Sequence, residues 1–138
     1  LIDATFKLRR VSELQAAYAQ GRSAEIIRHR QKRYPTARTC GCFFRNFHEH
    51  EITITINGKK IPHAAYYLDA VGVKGSLRSG NAQVSHQHAN MIVTLPCATT
   101  ADIIAVAKIM QKKVHSAYGL MPHAECELIG FSSYPLLK

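Results

Sequence analysis

Apolar and polar positions along this chain change their period several times, and each change predicts an element. Over Leu1–Arg10, Ile2, Ala4, Phe6 and Leu8 alternate with Asp3, Thr5, Lys7 and Arg9, the period of two that predicts a strand. Ser12 and Gln15 have the spacing of a capping box, and Val11, Leu14 and Tyr18 follow at helical spacing. Gly21 interrupts that pattern, Ser23 offers a second N-cap ahead of Ile26 and Ile27, and this helix is expected to run to about Lys32. Pro35 blocks its continuation and biases Tyr34 towards an extended shape. Further on, Glu51 to Ile56 alternates cleanly with β-branched residues, and Asn57-Gly58 supplies a two-residue hairpin turn. Ala64 to Val71 predicts a short apolar helix ending near Gly72, followed by a loop rich in Gly, Ser and Asn to Asn81. Ala82–Ser85 and Met91–Leu95 are short strand candidates.

The clearest helix is Thr100 to Tyr118. Thr99 or Thr100 caps it, Asp102 favours its first turn, Ile103, Val106, Ala107, Met110 and Val114 mark one face, and Gly119 stops it. Glu125 to Ile129 alternates as a terminal strand. Strands and helices are interspersed without a regular β-α-β period, which predicts a mixed α+β fold: a single domain over 1–138, with short strands and about three to four helices.

At 138 residues the chain has room for one real core. No apolar run approaches the roughly 18 residues of a membrane span, so no membrane partner is expected. The first residues lack a cationic region followed by an apolar one, so no signal peptide is expected either. The chain starts at Leu1 and not at methionine, as a fragment or processed piece would. Eighteen Lys and Arg face nine Asp and Glu, a net charge of +9 that points to an anionic partner, nucleic acid or a phosphorylated small molecule. Arg22, Arg28, Arg30, Lys32, Arg33 and Arg38 crowd together, as they also would on a solvated helix face. Four cysteines (Cys40, Cys42, Cys97 and Cys126) show no secreted-scaffold spacing, so free thiols in a reducing cytoplasm are expected.

Chemistry concentrates in Cys40-Gly41-Cys42-Phe43-Phe44-Arg45-Asn46. With His48 and His50 the two cysteines invite a zinc site, but C-x-C is tighter than the usual ligand spacing, and no metal is expected. Cys42 with a histidine base would make a nucleophile, yet eight histidines make a chance pairing easy. The basic cluster with Tyr34, Phe43, Phe44 and Phe47 suggests nucleic acid, but no groove-reading or single-strand motif accompanies it. The remaining reading takes Cys42 as an acid. A free thiol, with a pKa near ~8.5, is protonated at neutral pH and far more acidic than a hydroxyl, so it suits quenching of a developing carbanion. Gly41 would let the backbone approach a ligand closely, Arg45 and Asn46 would meet an anionic, hydrogen-bonding substrate, and Cys40 would pack as a small residue beside Cys42.

Four blocks in one order resemble a single family. Thr39-Cys40-Gly41-Cys42-Phe43-Phe44-Arg45-Asn46-Phe47 is similar to Ser-Ala-Gly-Ser-x-Phe-Lys-Asn-Pro, and Val71-Gly72-Val73-Lys74-Gly75 to Ala-Gly-Leu-Lys-Gly. Ala82-Gln83-Val84-Ser85 with His88-Ala89-Asn90-Met91-Ile92-Val93 is similar to Ala-Gln-Val-Ser-x-Lys-His-Ala-Asn-Phe-Ile-Val, and Ala124 to Gly130 to Pro-Glu-Val-Arg-Ile-Ile-Gly. These are blocks of the UDP-N-acetylenolpyruvoylglucosamine reductases of bacterial peptidoglycan synthesis, in their C-terminal domain. The resemblance implies a cytoplasmic flavoenzyme in which NADPH reduces FAD and the flavin passes a hydride to an enolpyruvyl UDP-sugar, giving UDP-N-acetylmuramate. It implies Cys42 as proton donor where the family has serine, and Glu125 as the carboxylate that helps stabilise the intermediate. Asn46 and a cation near Arg33 would hold substrate, with Arg45 and His88 as further substrate contacts. Nucleic acid is then no partner.

The departures are specific. Cysteine replaces serine at 42, arginine replaces lysine at 45, Phe47 replaces a proline, and Gln87 replaces a lysine. The family's FAD-binding N-terminal part, with its glycine-rich phosphate segment, has no counterpart in these residues, and would be the domain's partner. The 138-residue chain expressed by itself is therefore expected to copurify without flavin and without reductase activity. A flavin absorbance band on the purified chain would overturn that expectation.

Overall fold

The computed structural model describes residues 2–36 and 38–138. Contacts divide the chain into two compact units, one ending at Lys32 and the other running from Arg33 to Lys138. In the first, helix α1 (Glu13–Arg33) starts on the expected capping box: the Gln15 N–H donates to Ser12 Oγ at 3.3 Å, and the Ser12 N–H donates to Gln15 Oε1 at 3.1 Å. Gly21 does not divide it. A glycine inside a helix costs only about 1 kcal/mol against alanine, and the good helix formers on both sides outweigh that. None of the residues of α1 is buried.

The strand expected over residues 1–10 is corrected. Residue 1 lies outside the described residues, and 2–10 form no strand, with Ile2, Phe6 and Leu8 all exposed. Alternation supplies a sheet face, but a strand also needs a neighbour for its N–H and C=O groups. Glu51–Ile56 and Glu125–Ile129 teach the same lesson differently. Ile52 is buried and Ile54 and Ile56 pack on the core, so the alternation is real, yet Glu49–Glu51 is a turn of 3₁₀-helix and the only pairing of the segment is Ile56 with Lys59. Asn57 (φ 51°) and Gly58 (φ 73°) form the turn between them, both left-handed as a tight hairpin requires. In the terminal segment Cys126 and Leu128 pack inward, with a single bridge from Ala124 to Phe44.

The second unit is α+β, as expected. Strands β1 (Arg78–Ser79), β2 (Ala82–Val84) and β3 (Ile92–Thr94) form an antiparallel sheet in the order β1-β2-β3, with Gln83 opposite both Arg78 and Val93. Helix α2 (Ala64–Ala70) buries Ala64, Tyr67 and Leu68 and gives way to Gly72 at φ 72°. Helix α3 (Thr100–Tyr118) packs on both the sheet and α2. Its N-terminus is a capping box: the Asp102 N–H donates to Thr99 Oγ1 at 3.2 Å and the Thr99 N–H to Asp102 Oδ2 at 2.9 Å. Gly119, left-handed at φ 68°, closes its other end. The buried stripe is Ile104, Val106, Ala107, Met110, Gln111 and Val114, with Ile103 only partly covered.

Gln111 is the one polar member of that stripe and it connects the core to the functional region. Its Nε2 donates to Pro122 O at 2.8 Å and Leu137 O at 3.0 Å, and its Oε1 accepts from the Leu137 N–H at 3.0 Å. One amide thus ties two extended segments to α3. Gln111→Leu keeps the volume but orphans buried backbone groups, and is expected to lower the unfolding free energy by about 2 kcal/mol in urea titrations. An unchanged midpoint would show that those segments are held otherwise.

Candidate functional site

Gly41 stands at φ 88°, a conformation that turns the chain immediately before Cys42. Behind the turn, Phe43 and Phe44 are almost fully buried, packed edge to face with ring centroids 5.0 Å apart. These two aromatics anchor the segment in the core and leave Cys42 half-buried at its margin. The segment runs between two others. Cys42 pairs with Met91 on one side, where the Phe43 N–H donates to Asn90 O at 2.8 Å. Phe44 pairs with Ala124 on the other, where the Arg45 N–H donates to His123 O at 3.0 Å and the Glu125 N–H to Phe43 O at 2.9 Å.

Because Phe44 is bridged on only one side, its own N–H and C=O need another partner. The buried Asn90 side chain supplies it: Oδ1 accepts from the Phe44 N–H at 3.0 Å and Nδ2 donates to Phe44 O at 2.7 Å. Asn90 was visible in sequence only as part of a motif. No periodicity distinguishes an amide that closes a backbone gap from one on a surface loop.

Cys42 and Glu125 are brought together. Burial first, then the Glu125 carboxylate and the Cys40 thiol, push the Cys42 pKa above the ordinary thiol value. The proton is therefore held on sulfur at neutral pH. Cys40, expected to be a packing residue, is instead exposed, just ahead of the left-handed Gly41.

His88 and Arg33 are also brought together, with Tyr34, read in sequence only as part of a basic and aromatic cluster, and Lys74, quoted only within a motif. The Tyr34 ring lies 5.3 Å from the His88 ring, and the Arg33 guanidinium sits 5.7 Å from the centre of the Tyr34 ring. His88 Nδ1 accepts from the Asn90 N–H at 3.2 Å, which leaves Nε2 to carry the proton of the neutral ring. Burial, then the charges of Lys74 and Arg33, lower the His88 pKa, so the ring is a neutral donor among cations. Such a cluster attracts anions. Asn46 is exposed, with its carbonyl accepting from Arg45 Nη1 at 2.9 Å.

Arg45, expected to meet substrate, has a different partner here. Its guanidinium closes on Glu51 as a two-point pair, Nη2 to Oε1 at 2.6 Å and Nη1 to Oε2 at 2.8 Å. Glu51 also accepts from the His48 N–H at 2.7 Å, so the pair braces the loop after Asn46. Lysine, with its single ammonium, cannot make this fork. Among the described residues no group of three or more His, Cys, Asp or Glu is placed to hold a metal ion. No helix among them is long and apolar enough to cross a membrane.

Comparison with known proteins matches residues 32–129 to a family described as UDP-N-acetylenolpyruvoylglucosamine reductase, C-terminal domain. A UDP-N-acetylenolpyruvoylglucosamine reductase of Chloroherpeton thalassium is 31% identical over 97% of this chain and 41% of its own length. One of Prochlorococcus marinus strain MIT 9313 is 36% identical over 69% of the chain and 27% of its own length. Among solved structures, the reductase (MurB) from Thermus caldophilus aligns over 79% of this chain and 34% of that one, with 28% identity and a TM-score of 0.53. The chain thus spans about two fifths or less of the length of these relatives.

The Arg45–Glu51 pair has a pH signature. The hydrogen bond from Arg45 is the largest of the effects that bring the Glu51 carboxyl down to about 2, from the ordinary value of 4.5. A carboxyl whose pKa is lower in the folded state adds stability that is complete above about pH 5 and disappears as the pH falls towards about 2. With both side chains part-exposed, solvent screening limits the contribution to about 1 kcal/mol. Glu51→Gln is expected to lose about that much at pH 7 and to lose stability less steeply between pH 5 and 2 in thermal or urea unfolding. Parallel pH profiles for the two proteins would show that the pair adds nothing.

Proposed function

Since the chain belongs to the UDP-N-acetylenolpyruvoylglucosamine reductase family, matching its C-terminal domain, we propose that it binds the enolpyruvyl UDP-sugar and supplies the proton that completes its reduction. The reaction is that of an NADPH- and FAD-dependent oxidoreductase of peptidoglycan synthesis in the cytoplasm, yielding UDP-N-acetylmuramate. The observation that carries this reading is the half-buried Cys42 thiol, held protonated beside Glu125 on an anchored backbone.

Among the described residues no helix N-terminus stands open for a dinucleotide. The N-terminus of α3, where a pyrophosphate would seek free N–H groups, is closed by the Thr99–Asp102 capping box, and α2 has only seven residues. The flavin is held mainly by the rest of the family's length, which is the partner of this domain, and when bound it supplies the hydride. Every step assigned to this chain is one of binding, orienting or proton transfer.

The diphosphate of the sugar nucleotide suits the cationic cluster of Arg33 and Lys74, with neutral His88 donating from Nε2. Asn46, exposed on the loop braced by Arg45 and Glu51, offers an amide to the sugar. Addition of hydride to the outer carbon leaves negative charge on the carbon that bears the carboxylate. Cys42 then gives its proton to that carbon, and the cost of forming a thiolate beside Glu125 keeps the proton on sulfur until the carbanion develops. Glu125 contributes to holding the enolate-like species in register with the thiol.

In the flavin-containing enzyme, Cys42→Ser is expected to keep appreciable activity and Cys42→Ala to slow flavin reoxidation by substrate in single turnover by about 10²–10⁴-fold. The reoxidation rate should stay level through neutral pH and decline only at alkaline pH, beyond the ordinary thiol range from which Cys42 is raised. A normal rate for the alanine variant would remove Cys42 as proton donor. Tight binding of oligonucleotides in place of UDP-sugars would instead favour a non-catalytic anion-binding module.

A further inference from the structure

We propose that Asn90 is a positioning residue for the reaction, holding the backbone that carries Cys42 so that the thiol stands where its proton is needed. The proposal rests on the function assigned above to Cys42. Asn90 is only 2% exposed, and each of its polar groups has a partner within the site. Its carbonyl accepts from the Phe43 N–H at 2.8 Å, its Oδ1 accepts from the Phe44 N–H at 3.0 Å, and its Nδ2 donates to Phe44 O at 2.7 Å. Its own N–H donates to His88 Nδ1 at 3.2 Å. The next residue, Met91, is the bridge partner of Cys42, and its N–H donates to His88 O at 3.1 Å. The turn from His88 to Met91 is thus a template against which the two residues after the thiol are laid.

A template is needed because the chain ahead of Cys42 gives it little hold. Gly41 is left-handed at φ 88° and has no side chain to pack, and apart from its chain neighbours nothing lies within 4 Å of where its Cβ would stand. Behind the thiol, the buried rings of Phe43 and Phe44 hold the segment down, but apolar packing is non-directional and tolerates small slides. Hydrogen bonds weaken steeply with angle, so the three from Asn90 fix the register on that edge. Register matters because a proton donor acts only within hydrogen-bond reach of its target, and a misplacement of about 1 Å costs about 10²-fold in rate.

The side chain and the backbone of Asn90 serve different halves of the site, so their effects can be separated. Asn90→Ala removes both bonds to Phe44 and keeps the backbone bonds to Phe43 and His88. The histidine keeps its tautomer while the thiol-bearing segment loses its hold, and substrate binding parts from proton delivery. Asn90→Asp gives the same separation a pH dependence. Its protonated carboxyl can donate to Phe44 O as the amide does, and its carboxylate cannot.

Positioning is read first without catalysis. The 138-residue chain and its Asn90→Ala variant are treated with iodoacetamide under native conditions, and alkylation of each cysteine is followed by peptide mass spectrometry. Relative to exposed Cys97, Cys42 is expected to react about tenfold faster in the variant, in keeping with the loss of two buried hydrogen bonds. An unchanged ratio would overturn the proposal. In the flavin-containing enzyme, Asn90→Ala is expected to slow flavin reoxidation about 10²-fold while substrate affinity changes less than about threefold. Added to Cys42→Ala, it should slow the reaction less than about twofold further, because its effect runs through the thiol. Asn90→Asp, which keeps the size of the side chain should the alanine variant fail to fold, should lose rate as the pH rises through its carboxyl titration, where the wild-type rate stays level. Equal losses of affinity and rate, or a full second loss on top of Cys42→Ala, would make Asn90 a merely structural residue. A normal rate in Asn90→Ala with Cys42→Ala slow would overturn its role in the reaction. A looser thiol with normal reoxidation in both alanine variants would leave the thiol held by Asn90 and remove Cys42 as proton donor.

Discussion

The functional region depends on one amide. The segment that carries the thiol is no regular strand, so its backbone groups find their partners one residue at a time. Cys42–Phe44 takes Met91 as neighbour at its first residue and, at Phe44, Ala124 on one edge and the Asn90 side chain on the other. Leaving the N–H and C=O of buried Phe44 unpaired would cost about 1–3 kcal/mol each, enough to let the segment leave its position. Asn90 also has its own N–H on His88 Nδ1. The same residue therefore fixes the thiol-bearing backbone and the tautomer of the histidine in the cationic cluster, and links the two halves of the site through covalent and hydrogen-bonded neighbours.

The electrostatics of the two halves run in opposite senses, and burial is the leading cause in both. Removing a group from water penalises its charged form, so Cys42 keeps its proton and His88 lacks its second one. Glu125 reinforces the effect for the thiol, and Lys74 and Arg33 reinforce it for the imidazole against the opposing charge of Asp69, which pairs with Lys74. Around neutral pH both groups are uncharged hydrogen-bond donors, which suits the roles proposed for them, proton transfer for Cys42 and anion binding for His88. Changing a rim charge would shift such a balance by a fraction of what exposing the group would.

Much of this was legible in the residues. Helix α3 was read to both ends because its start and stop are encoded locally, by Thr99, Asp102 and Gly119. The capping box of α1 was readable for the same reason, whereas Gly21 was over-read as a break. Strands were the weak point. The alternations at Glu51–Ile56 and Glu125–Ile129 reported burial correctly but pairing incorrectly, because partners for extended chain come from elsewhere in the fold. The site was legible as a set of residue types, and the proximity of Cys42 to Glu125 and of Arg33 to His88 was not. Nor was the Arg45–Glu51 fork, since two residues six apart across an irregular turn have no periodicity to connect them.

A thiol in place of the family's serine changes the acid and its hazards together. A hydroxyl is a much weaker acid but resists peroxide, whereas a thiol donates more readily and is lost once oxidised. What protects Cys42 is the same environment that suits it to proton donation. Burial and Glu125 suppress its thiolate, the only form that reacts quickly with oxidants or electrophiles. Opening that environment to water would lower the pKa and make the acid stronger, but it would expose the sulfur to oxidation at the same time. The raised pKa is therefore a compromise between the two demands.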